Sequence, residues 1–97
     1  MADRSPAERY FDFIEAELNA ERAAVLGRYG RRVEQALAMC KERQVELDVD
    51  DPSSVAAYRS ARERVLEAVA AFCFQREMIG LTEHSWVYRI YEVPPAV

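Results

Sequence analysis

Few residues in this 97-residue chain could carry chemistry, and they are scattered. The single histidine, His84, lies between Glu83 and Ser85, but neighbours in sequence do not supply the geometry of a catalytic triad. We interpret His84 as a residue at a helix end or on the surface. The sequence has no glycine-rich phosphate loop, no Cys-x-x-Cys pair and no metal-binding histidine spacing. It therefore predicts a protein that is not an enzyme and that holds no cofactor.

The two cysteines, Cys40 and Cys73, fall within helical patterns and, with one histidine, do not complete a zinc site. The first residues lack the apolar stretch of a secretory signal. The longest apolar run, 68–74, is far shorter than the ~20 residues of a membrane span. The sequence thus predicts two buried, reduced thiols, no metal, no membrane partner and a cytoplasmic location.

Two arginines interrupt the apolar stripes of predicted helices. Arg22 falls on the first stripe, and Arg76 falls on the second with Glu77 beside it. If the helices run antiparallel about a turn near residues 48–51, Arg22 faces Glu77. An unpaired charge on a buried face is costly, so we expect an ion pair between the helices. The alternative is a pocket for an anion or a partner, formed by Arg22, Arg76, Glu77 and His84.

The same alignment places Gly27 opposite Phe72 and predicts a close helix crossing at Gly27, Gly30 and Phe72. Each glycine costs ~1 kcal/mol relative to alanine inside a helix. The two glycines could therefore end one helix and start another, or they could lie within one helix that a bulky residue approaches closely. Helix-forming residues on both sides favour the continuous helix.

Two helix starts are marked by a capping residue followed by proline. Ser5-Pro6 with Glu8 forms a capping box, and Asp51-Pro52 starts the second helix. Gly80 supplies a left-handed residue that can end that helix. Apolar residues recur at helical spacing after each start. They are Phe11, Ile14, Leu18, Val25, Tyr29, Val33, Ala36 and Cys40 in the first helix, and Val55, Tyr58, Ala61, Val65, Val69, Phe72 and Ile79 in the second.

The segment 86–93 is rich in β-forming residues, but a lone strand has no partner for its backbone hydrogen bonds. Trp86, Ile90 and Val93 share one helical face. We therefore predict a short helix, and a strand exchanged between two subunits is the alternative.

These elements predict an all-α fold in a single domain, 1–97: an antiparallel hairpin of two long helices plus a short C-terminal helix. The apolar residues outnumber those that one hairpin seam can bury, so either the C-terminal segment folds over the hairpin or a second chain completes a bundle. We expect both to contribute, with a homodimer favoured. The surplus includes Phe13, Leu26, Leu37, Leu66, Phe74 and Trp86.

Three motifs follow one another along the chain: L-G-R-x-G-R-R-x-E-x-A-L over 26–37, Q-R-E-x-x-G-L over 75–81 and Y-x-x-P over 91–94. Together they resemble a family of short bacterial proteins of unknown function, over most of the chain from the first helix to Pro94. The resemblance implies a small helical fold, and it implies no activity.

The net charge is −4, with 17 acidic and 13 basic residues, which disfavours a nucleic-acid partner. A local basic patch, Arg28, Arg31 and Arg32, runs against that trend. The sequence therefore predicts a protein–protein interaction or regulatory module. The alternatives are a nucleic-acid-associated regulator that uses the arginine patch and a small-ligand-binding protein with a polar pocket between the helices.

Overall fold

The fold is a hairpin of two long helices of unequal length. The computed structural model describes residues 5–97, of which 78% are helical. Helix α1 spans Pro6–Val45, α2 spans Pro52–Met78 and α3 spans Ser85–Ile90. No strand occurs among these residues. The predicted all-α hairpin with a short C-terminal helix is therefore confirmed, in an elongated molecule of 73 × 20 × 19 Å.

Helix α1 begins at the predicted capping box. The Ser5 hydroxyl accepts a hydrogen bond from the Glu8 amide, and the Glu8 carboxylate accepts one from the Ser5 amide, each at 3.2 Å. Pro6 occupies the first helical position, where its missing N–H would be unpaired in any case. The helix then runs without a break through Gly27 and Gly30 for 40 residues. The continuous helix favoured by the sequence is confirmed.

A short acidic turn reverses the chain after α1. The Ser54 hydroxyl accepts from the Asp48 amide at 2.8 Å and donates to the Glu46 carbonyl at 3.2 Å. The Asp51 carboxylate caps α2 by accepting from the Ser53 amide at 3.0 Å. These bonds satisfy backbone groups that helix ends leave unpaired, and they tie the end of α1 to the start of α2.

Helix α2 ends in a Schellman motif. The Leu81 amide donates to the Arg76 carbonyl at 2.9 Å, and the Gly80 amide donates to the Glu77 carbonyl at 3.0 Å. Gly80 has a φ of 88°, a conformation that side-chain-bearing residues avoid. The motif directs the chain back towards α3.

The hydrophobic core fills the seam between α2 and the C-terminal part of α1, and α3 closes it. The buried residues of α1 begin only at Gly30, and Val87 of α3 is fully buried. Both predicted buried thiols lie here as free cysteines, and desolvation raises the pKa of the Cys40 thiol. The buried apolar side chains are Val33, Leu37, Cys40, Tyr58, Ala61, Val65, Val69, Phe72, Cys73 and Val87.

Because α1 is longer than α2, its N-terminal part extends beyond the hairpin. Gly30 lies beside Phe72, so counting outwards along both helices places Met78, the last residue of α2, level with about residue 24 of α1. We call residues 6–23 the overhang; at 1.5 Å per residue it is ~27 Å long. Every residue of the overhang is exposed or only half-buried.

Candidate interaction surface

Arg76, Glu77 and His84 come together where α2 meets the segment leading into α3. Arg76 is only 7% exposed. Its Nε donates to Nδ1 of His84 at 3.2 Å, and its Nη2 donates to the Glu83 carbonyl at 2.6 Å. The guanidinium carbon lies 4.6 Å from the centre of the Trp86 ring, within cation–π distance. We call Arg76, Glu77, Glu83, His84 and Trp86 the Arg76 latch, because their contacts fasten the C-terminal segment to α2.

His84 lies between Arg76 and Glu77 and contacts both side chains. An arginine N–H can only donate, so Nδ1 of His84 must be an unprotonated acceptor. The ring proton then lies on Nε2, which donates to Oε1 of Glu77 at 2.9 Å. Beside the ring, the Glu83 carboxylate accepts from the Ser85 amide at 2.6 Å, and hydrogen bonds from Ser85 lower the pKa of Glu83. Both nitrogens of the only histidine are therefore engaged in holding the fold.

Arg22 is not part of the Arg76 latch, and the predicted ion pair between Arg22 and Glu77 is wrong. Arg22 is exposed, and it lies on a groove with Gln75 and Ile79, whereas the Glu77 carboxylate contacts His84. The reason is register: the two helices are aligned about three residues, almost one turn, away from the predicted alignment. Arg22 and Arg76 consequently line two separate grooves.

The same shift changes which glycine lies at the helix crossing. A Cβ atom at Gly30 would lie 3.4 Å from the Tyr91 hydroxyl oxygen and 4.0 Å from the Phe72 ring. At Gly27, a Cβ atom would meet only the end of the Arg31 side chain, at 3.4 Å. The predicted contact between Gly27 and Phe72 is therefore wrong, and Gly30 is the glycine that lies beside Phe72. Phe72 and Tyr91 pack edge to face above Gly30, with ring centres 5.9 Å apart.

The arginines of the predicted basic patch are all exposed, and at i, i+3 and i+4 spacing they lie on one face of α1. Arg31 lines a groove that also contains the acidic residue Glu34. The guanidinium of Arg32 instead lies 4.7 Å from the centre of the Tyr29 ring. The third member, Arg28, belongs to neither arrangement. The patch is therefore a small exposed cluster on one helix face, with the acidic residue Glu34 beside it.

The overhang carries an uncovered apolar face. Tyr10, Phe11, Ile14 and Leu18 have helical spacing and lie on one side of α1; we call these four residues the overhang stripe. Tyr10 is 61% exposed, Phe11 69% and Leu18 45%. Phe13 is also 60% exposed, but it lies at the Tyr10 edge of this face, about 100° round the helix from Ile14 and further from Phe11 and Leu18. The overhang therefore presents an organised apolar face with one further exposed aromatic residue, Phe13, at its edge.

A groove of about 230 Å³ continues the overhang stripe towards the hairpin. Its apolar lining comes from Leu18, Val25 and Leu26 of α1, together with Ile79 just past the end of α2. Leu18 belongs both to the stripe and to this groove. A helix packed on the overhang stripe would therefore extend the line of α2.

A set of contacts with the C-terminal tail, residues 94–97, had no counterpart in the sequence analysis. Three side chains of α2, Tyr58, Arg59 and Arg62, donate hydrogen bonds to backbone carbonyl oxygens of the tail. The distances for the two arginines are 2.8–2.9 Å. Because the acceptors are backbone atoms, the side chains of the tail show no pattern that could have revealed this clamp.

No protein-family model, curated protein or solved structure matches this chain. The resemblance to a family of short bacterial proteins stays a prediction. Across residues 5–97, no helix combines the length and apolarity needed to cross a membrane. Within the same residues, no group of three or more His, Cys, Asp or Glu side chains could hold a metal ion.

Proposed function

We propose that this protein is a non-catalytic protein–protein interaction module whose docking surface is the overhang stripe. One observation carries the proposal: an apolar helical face remains uncovered beyond the end of α2. Contiguous exposed apolar patches with polar rims are typical of interaction sites on globular proteins. The overhang provides such a rim, since five carboxylates and two arginines are among its other residues.

Helix formation alone does not account for the residues of the stripe. Alanine, glutamate and arginine form helices better than phenylalanine, tyrosine or isoleucine, so a solvated overhang would gain helix stability by replacing Phe11 or Ile14. Burying each of these side chains in a partner would instead contribute about 1.5–3 kcal/mol. The residue types are those of a helix that packs against another helix through anchors about one turn apart.

Other features support the same kind of function. His84 is held between Arg76 and Glu77, so both of its ring nitrogens serve the fold. The net charge of −4 and the acidic overhang disfavour a nucleic-acid partner. The free, buried thiols Cys40 and Cys73 fit action in the reducing cytoplasm.

A matched pair of photo-crosslinking variants tests the proposal. A benzophenone amino acid replaces Phe11 on the stripe in one variant and Phe13 off the stripe in the other, and both proteins are irradiated in extract from the source cells. The two positions are similarly exposed, at 69% and 60%. We expect a discrete protein adduct from position 11 and little from position 13. Equal labelling at both positions, or none at either, would contradict the proposal.

A further inference from the structure

We propose that the occupant of the overhang stripe is a second copy of this chain, packed antiparallel so that the two overhangs lie side by side. This inference rests on the proposed function, because it names the partner of the same surface. Three features of the chain carry it: the length of the overhang, the spacing of its apolar residues and the positions of its charges.

The length of the overhang fixes a register. If two antiparallel overhangs overlap completely, Pro6 of one copy lies level with about residue 23 of the other, next to the end of that copy's α2 at Met78. The first helix of each copy then occupies the line along which the other copy's α2 has ended. The two meet end to end without overlapping, and the groove beside Ile79 receives the start of the incoming helix.

The spacing of the apolar residues selects the same register independently. Phe11 is five residues from Pro6, and Leu18 is five residues from position 23, so complete overlap places Phe11 of each copy opposite Leu18 of the other. Ile14 lies beside the two-fold axis. Each copy uses the same patch, as an isologous two-fold interface requires. At the 8–10 Å separation of packed helices, these side chains interdigitate.

The charged flanks are compatible with this pairing. Arg22 and Glu8 lie on the same flank of the stripe, and the register brings Arg22 of each copy within about one residue of Glu8 of the other. On the other flank, Glu21 of one copy approaches the Tyr10 hydroxyl of the second. Glu15 lies near its own equivalent at the axis and is the one like-charge contact, against two Arg22–Glu8 contacts.

The first test is the oligomeric state of the full chain. Sedimentation equilibrium should give a mass approaching twice 11.1 kDa as the protein concentration rises. Phe11→Asp should weaken the dimer by roughly tenfold or more, since it places a carboxylate in the apolar contact. Phe13→Asp introduces the same charge off the stripe and should leave dimerisation unchanged. A wild type that stays monomeric up to millimolar concentration, or equal weakening by both variants, would overturn the inference.

The second test is the orientation of the helices, read from spin labels on cysteines introduced at Glu15 or Arg28. Both positions are exposed, whereas the native cysteines are buried, and wild-type protein serves as the labelling blank. Antiparallel pairing about Ile14 predicts a short distance for position 15 and ~40 Å for position 28, from 1.5 Å per residue. Short distances at both positions would indicate parallel helices and overturn the proposed register.

These results separate the inference from the proposed function. A monomeric wild type that still crosslinks from position 11 to another protein would overturn the second-copy inference alone. A monomeric wild type without any adduct from position 11 would overturn both.

Discussion

The Nε atom of Arg76 donates to Nδ1 of His84 at 3.2 Å, and this contact determines which nitrogen of the imidazole carries the proton. The proton on Nε2 then extends the chain of hydrogen bonds to Glu77. Among the described residues, no carboxylate forms a direct ion pair with Arg76. The buried guanidinium is instead stabilised by three neutral groups, which are the imidazole of His84, the Glu83 carbonyl and the ring face of Trp86.

Replacing Arg76 with lysine should therefore be costly although the charge is kept. An ammonium group cannot reproduce the planar fork that serves His84, the Glu83 carbonyl and the Trp86 ring at once. We expect the free energy of unfolding to fall by about 1–3 kcal/mol in urea denaturation. Arg64→Lys is the matched control, since Arg64 is exposed on the same helix, and it should change stability very little. Equal losses in the two variants would show that the latch contributes nothing specific.

The two glycines of α1 should respond oppositely to substitution. Gly27→Ala adds a methyl group that meets only the flexible end of Arg31, so the gain in helix propensity should stabilise the fold by about 0.5–1 kcal/mol. Gly30→Leu drives a side chain into Tyr91 and Phe72 and should destabilise it by about 1–3 kcal/mol. Thermal unfolding of both variants measures the difference. Destabilisation by Gly27→Ala would indicate that the close helix crossing lies at Gly27, and would contradict this account.

The helices themselves could be predicted from local chemistry. Ser5 and Asp51 cap backbone amides through their side chains, and Gly80 ends α2 with a positive φ; each device acts within a few residues and is visible in the sequence. The alignment of α1 against α2 depends on contacts between distant residues. The alignment predicted from the position of the turn was wrong by almost one helical turn. For this reason the crossing lies at Gly30 and not at Gly27.

The candidate surface was only partly visible in the sequence for a related reason. The apolar stripe of α1, interrupted only at Arg22, reads as one core face, but only the part from about Gly30 onward is buried. The N-terminal part, including Phe11 and Leu18, is exposed because α2 is 13 residues shorter than α1, with lengths of 27 and 40 residues. Hydrophobic periodicity identifies a buried face, but it does not identify which element covers that face.

The hydrogen bond from Tyr58 to the C-terminal tail should make the free energy of unfolding fall as the pH rises in the alkaline range. Burial raises the pKa of Tyr58, Cys40 adds to the rise, and Arg62 opposes it. Because the folded state binds this proton more tightly than the unfolded chain, the stabilisation is present below a pH of about 10 and is lost as the pH rises further. Urea denaturation of the wild type between pH 8 and about 11 should show this decline, and Tyr58→Phe should make it shallower.

At neutral pH, Tyr58→Phe should cost about 0.5–1.5 kcal/mol, since it removes the hydrogen bond to the Pro95 carbonyl. Tyr29→Phe is the control, because the Tyr29 hydroxyl has no hydrogen-bond partner among the described residues, and it should have little effect. If Tyr58→Phe left both the neutral stability and the alkaline decline unchanged, the tail would not be fastened through this hydroxyl.

Amide hydrogen exchange across the overhang tests most directly the central claim that its stripe packs on a second copy. In dilute protein, amides of residues 6–23 should exchange much faster than those of the hairpin core, because a lone helix of this length is marginally stable. Raising the concentration should slow exchange in this segment selectively, in the wild type and in Phe13→Asp but not in Phe11→Asp. Exchange in residues 6–23 that stays equally fast at every concentration, or identical behaviour of the two variants, would contradict the claim.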